Sequence, residues 1–77
     1  MNRIYVLKIW LMSMSVSEVP ANTFYCRSWD GADALTQTLG FVRAPEWSME
    51  GPWIYTRGVT GAFYRDHAEV RLERVDA

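Results

Sequence analysis

The chain is 77 residues long, 49% hydrophobic and 22% charged, with a formal net charge of −1 at pH 7. That length admits one domain, residues 1–77, and the composition is that of a folded globular chain rather than a disordered one. Nucleic-acid binders carry a basic stripe and membrane-surface proteins carry Lys/Arg clusters; here seven Arg and one Lys are spread among nine acids, which argues against both partner classes.

The first segment, Arg3 to Met14, is rich in β-branched and aromatic residues. Alternation puts Ile4, Val6, Trp10 and Met12 on one face, interrupted by Lys8, and Tyr5, Leu7, Ile9 and Leu11 on the other. Two apolar faces predict a strand covered on both sides, or on one side plus a partner. Fully extended, the segment would span about 40 Å, against about 30 Å for a compact chain of this size, so the strand is expected to end near Met12. The apolar run from Ile4 to Met12 is broken by Lys8 and is far short of the roughly 18 residues a membrane span needs, so it is read as part of the fold.

Residues 13–22 read as a connection, with Pro20 and Asn22 as turn chemistry, and Thr23–Arg27 as a short second strand. A helix over 30–39 follows. Ser28 or Asp30 serves as its N-cap, Asp33 adds negative charge near its start, and Ala32, Leu35 and Leu39 share one face. Gly40 occupies the position of a left-handed C-cap. Phe41-Val42 reads as a short strand or as a plug for the helix end. Ala44–Pro52 is loop-like, Trp53–Thr56 returns to strand character, and Gly58–Gly61 suits a hairpin turn. From Ala62 to Val75 the alternation places Tyr64, Ala68, Val70 and Leu72 inward and Glu69, Arg71 and Glu73 outward, with Asp66-His67 as a possible break or bulge. The expected fold is α+β: an antiparallel sheet of four to five strands with one helix packed on one face, in the order β-β-α-β-β. The sheet's second face is then a candidate for a homodimer or for partner binding.

No residue set for catalysis or metal binding assembles in this order. His67 and Glu69 share a strand face while Asp66 points away, and no second His or Cys pair completes a zinc site. Cys26 between Phe24 and Ser28 reads as a small apolar packing residue without a base. Glu46 and Glu50 sit in a loop that implies no pocket. GxSxG, CxxC and phosphate-cradling loops are absent, so the expectation is a non-enzyme without cofactor or metal. One cysteine excludes an intrachain disulfide, which points to a reducing, cytoplasmic compartment.

Aromatic residues make up 14% of the chain, with four Trp, four Tyr and three Phe. A domain this small buries only about 60% of its unfolded surface, so some rings are expected outside, where aromatic residues anchor interfaces. The Ala44–Tyr55 stretch is the first candidate. It presents Trp47, Met49, Trp53 and Tyr55 beside Glu46 and Glu50 between Pro45 and Gly51-Pro52, a composition suited to contact with a protein partner. Read the other way, the same stretch is a lid folded back over the core.

The opening Met1-Asn-Arg-Ile-Tyr-Val6 strand, and a second strand that runs straight into a capped helix over Phe24–Gly40, give a layout that resembles small phage-encoded accessory proteins, including type I anti-CRISPR proteins. The resemblance covers the N-terminal half. It implies a non-enzymatic inhibitor that binds a host protein or protein complex in the bacterial cytosol. The net charge of −1 departs from the strongly acidic members that imitate DNA. A second stretch, Leu39-Gly-Phe41 followed by a strand and His67–Leu72, is similar to a half-module of glyoxalase-like proteins, which implies His67 and Glu69 as ligands doubled across a dimer.

Overall fold

A computed structural model describes residues 2–11, 18–46, 49, 51–58 and 65–75. Among these, the chain forms β1 (Asn2–Trp10), β2 (Asn22–Cys26), α1 (Trp29–Thr38), β3 (Val42–Arg43), β4 (Trp53–Gly58) and β5 (Arg65–Val75). The strands make one antiparallel sheet in the order β2-β1-β5-β4-β3, with the helix packed on one face. The fold class read from the sequence is the fold observed, with Val42-Arg43 as the fifth strand. No helix among the described residues is long and apolar enough to cross a membrane.

Local chemistry sets the helix ends. The Ser28 side chain accepts from the Gly31 N–H at 3.0 Å, so Ser28 and not Asp30 is the N-cap. Asp30 supplies the first-turn negative charge expected of Asp33, which lies a turn further on and turns toward the sheet. At the other end Gly40, at φ 91°, donates to the Gln37 carbonyl while the Phe41 N–H donates to that of Thr36. This paired pattern is the Schellman motif. It drops Phe41 into the core, so Phe41 plugs the helix end and Val42 starts a strand. Ala32 is fully buried, with Leu35 and Leu39 half-buried against the core. The buried Thr36 was not anticipated on this face; its hydroxyl donates to the Ala32 carbonyl at 2.7 Å and so needs no outside partner.

The core is the layer between helix and sheet. Leu7 and Ile9 of β1, Trp53 and Tyr55 of β4, and Ala68 and Val70 of β5 meet Ala32 and Phe41 there. Register explains the grouping, because Leu7 lies opposite Val70, Val70 opposite Trp53, and Ala68 opposite both Ile9 and Tyr55. Full burial of side chains such as Leu7 and Val70 contributes about 1.5–3 kcal/mol each. β5 runs unbroken through Asp66-His67, paired residue for residue with β4, so these residues neither divide the strand nor form a bulge against β4. The hairpin turn at Gly58–Gly61 and the inward Tyr64 lie outside the described residues, apart from Gly58 at the end of β4.

On the face away from the helix, Val6 and Trp10 are only 4% and 5% exposed. The Trp10 ring lies against His67 at 5.6 Å, and its indole N–H donates to the Glu18 carbonyl at 2.8 Å. The chain entering β2 is thereby held against this face. Val6 and Trp10, two of the apolar residues that made this face a candidate for dimerisation, are covered within the chain.

Candidate interaction surface

The Ala44–Tyr55 stretch divides into an anchored part and an exposed part. Alternation along β4 sends Trp53 and Tyr55 toward the helix, and both are buried. The Trp53 ring packs against Tyr5 at 6.1 Å and Trp29 at 5.7 Å. The Tyr55 hydroxyl donates to Asp33 Oδ1 at 2.7 Å. Asp33 also accepts from Gln37 at 2.8 Å and Arg43 at 3.4 Å, and the Arg43 guanidinium lies over the Trp29 ring at 5.0 Å. Burial, then the bond to Asp33 and its charge, hold the Tyr55 hydroxyl well above the ordinary tyrosine range.

These placements correct two of the expected contact residues. Trp53 and Tyr55 are core residues, because the strand parity that pairs them with Val70 and Ala68 turns them under the helix. Glu46 and Met49 are exposed, Met49 at 82%. Trp47 and Glu50 lie outside the described residues. Gly51 joins loop to core at φ 75°, and a Cβ there would stand 2.7 Å from the Trp53 ring, so the chain passes too close to that ring for any side chain.

The exposed part gains one residue that the sequence reading did not single out. Val42, 70% exposed, pairs with Thr56 on the edge strand that opens the same segment. Only its membership of a two-residue edge strand reveals this, since Phe41-Val42 reads equally well as buried plug. Both ends of the segment are fixed, by Phe41 and by Trp53 in the core.

The second exposed surface is β2. Residues 22–25 are all exposed, with Phe24 at 37% on the helix face and Tyr25 at 72% on the other, and Leu11 and Val19 nearby in sequence are exposed as well. Asn22–Cys26 carries no charge and no proline, a signal available in the sequence once the strand is known to be an edge.

The polar groups singled out for chemistry are separated by the sheet. Cys26, opposite Tyr5, is half-buried on the helix side, whereas His67, opposite Trp10, is on the other. Asp66 takes Arg57, and Glu69 takes Arg71 at 3.1 Å while lying opposite Lys8. Among the described residues no three His, Cys, Asp or Glu side chains gather as a metal site. No family model matches the chain, and neither a curated protein nor a solved structure matches it.

Proposed function

We infer that this chain is a non-enzymatic protein-binding module whose partner surface is the β3 end of the sheet, with Val42, Glu46 and Met49 in contact. The observation that carries this reading is the exposure of Met49 and Val42 on a segment anchored at both ends in the core. Fixing a loop's flanks in the core removes part of the ordering cost of binding. Methionine adapts to irregular partner surfaces, and the nearby Glu46 and Arg43 supply a polar rim.

The finer reading is a phage-encoded inhibitor that acts by direct binding to a type I CRISPR-Cas protein in the bacterial cytosol. Its support is the likeness of layout, together with a charge balance that suits protein contact better than DNA imitation. The test is expression in bacteria whose type I system targets an infecting phage. Restored plaquing, lost in Met49→Asp and Val42→Asp variants that keep the wild-type melting temperature, is the expected result. Undiminished immunity would sink the inhibitor reading. Capture of the same partner by both variants would move the contact surface elsewhere.

A further inference from the structure

We propose that the chain forms a symmetric homodimer by antiparallel pairing of β2 with β2 of a second copy, with Phe24 on the two-fold axis. The proposal is independent of which host protein the β3 end binds.

The direction of the backbone groups comes first. The Ile9 carbonyl accepts from the Ala21 N–H at 2.8 Å, so the polar groups of Ile9 face β2. Alternation along an antiparallel ladder then turns the backbone groups of Asn22 and Phe24 toward β1, and those of Thr23 and Tyr25 outward, where none of the described strands pairs with β2. The same alternation carried across β1, β5 and β4 points the Ile54 carbonyl at β3, where it accepts from the Ala44 N–H at 2.9 Å. The parity is therefore consistent across the sheet.

An antiparallel second copy satisfies these outward groups. Overlap of the whole strand brings Thr23 of each copy opposite Tyr25 of the other, and each such pair exchanges both N–H···O bonds. Phe24 meets Phe24 on the helix face as a closely spaced pair with Cα atoms about 4.5 Å apart, a geometry that suits two rings. On the opposite face Tyr25 packs beside Thr23. Because the strand has no charge, the second copy meets no like charge along its length.

The other edges are guarded. β3 has two residues; Val42 and Ala44 face β4, which leaves Arg43 with outward groups, and the next outward position is Pro45, without an N–H. Where β5 runs on beyond β4 it carries Arg71 and Glu73, both exposed. Pairing β2 with β3 of another copy, which would grow an open chain of molecules, is thus blocked, and β2 with β2 closes on itself.

A two-fold axis through Phe24 stands perpendicular to the sheet. The dimer is a continuous sheet of twice five strands with both helices on one face, and its two β3 ends lie about 43 Å apart at nine strand spacings. It presents the β3 end twice, at opposite extremities. The strand pair is smaller than the roughly 800 Å² per partner of a standard interface, so the association is reversible on dilution.

Sedimentation of the full chain from about 1 μM to about 1 mM tests this, a range that brackets weak to moderate association. A concentration-dependent monomer–dimer equilibrium is expected. A strict monomer throughout overturns the proposal and leaves the edge to a strand of another protein. Tyr25→Pro removes one outward N–H per copy and no intrachain strand bond, and should weaken the dimer about tenfold or more while leaving the circular dichroism spectrum unchanged; undiminished association would place the interface elsewhere. Phe24→Cys in a Cys26→Ser background gives a readout that does not depend on tolerating proline. Cα atoms at the spacing of this pair fall within disulfide range, so oxidation should trap a folded covalent dimer, and failure to cross-link overturns the register.

Discussion

Arg57 on β4 ties the helix C-terminus to the sheet through Asp66 on β5. Its Nε and Nη2 donate to Asp66 Oδ2 at 2.8 and 2.6 Å, while Nη1 donates to the Leu39 carbonyl at 2.6 Å. The guanidinium also lies over the Phe41 ring at 4.5 Å. A cation at this end complements the helix dipole, and the fork reaches a carboxylate and a terminal carbonyl at once.

Arg57→Ala should therefore cost about 2–3 kcal/mol, the scale of charge-assisted hydrogen bonds at a partly buried site. Arg57→Lys should recover less than half of it, because an ammonium group cannot reproduce the fork. Urea denaturation of the three proteins at equal m-value measures both. A fully restored Lys variant would reduce the interaction to simple charge.

Tyr55 predicts a loss of stability in alkali. An ordinary tyrosine ionises near pH 10, and the folded chain holds the Tyr55 proton above that range. Past about pH 10 the unfolded chain releases this proton while the folded chain keeps it. The unfolded state then binds fewer protons, and stability falls as pH rises. Tyr55→Phe should remove this component and cost about 1 kcal/mol at neutral pH for the lost bond to Asp33. Thermal melts of both proteins from neutral pH into alkali, with identical alkaline slopes, would contradict the assignment.

The two left-handed glycines should differ in tolerance. A Cβ at Gly40 would meet Arg57 Cδ at 3.4 Å, an ordinary contact, so Gly40→Ala carries the conformational cost of about 1–2 kcal/mol. At Gly51 the same strain is joined by the clash with the Trp53 ring, and Gly51→Ala should be the more destabilising. Denaturation midpoints rank the two, and the reverse order would mean that the Trp53 ring yields freely.

Anchored and exposed residues of the 44–55 stretch should separate cleanly. Trp53→Ala empties a buried site and should cost about 3–5 kcal/mol, whereas Met49→Ala should stay within about 0.5 kcal/mol of wild type. Calorimetry on both decides it. Equal melting temperatures would return Trp53 to the surface.

Much of the helix was legible because its signals are local. Ser28 and Gly40 act within one turn of themselves, and Ala32, Leu35 and Leu39 follow a period that needs no tertiary partner. Alternation likewise identified Ala68 and Val70 as buried and Arg71 and Glu73 as exposed. It failed at Trp53 and Tyr55, where a loop-bounded pair of rings beside acids suits contact or core equally well. Parity tells which residues share a face; the position of the helix tells which face is covered. The Arg57–Asp66–Leu39 junction had no signal at all, since its members are separated along the chain and meet only when β4 and β5 pair.

The sequence by itself determined a capped helix, a set of alternating strands and an α+β class, because propensity, capping and period are properties of neighbouring residues. The tertiary structure alone decided that β2 lies at an edge with its Thr23 and Tyr25 backbone groups facing outward, and that β3 closes the other edge. It also decided that the rings of Trp53 and Tyr55 are spent on the core. Strand order and face assignment arise from pairings between distant segments, such as β1 with β5, whose energy depends on all the surfaces they bury together.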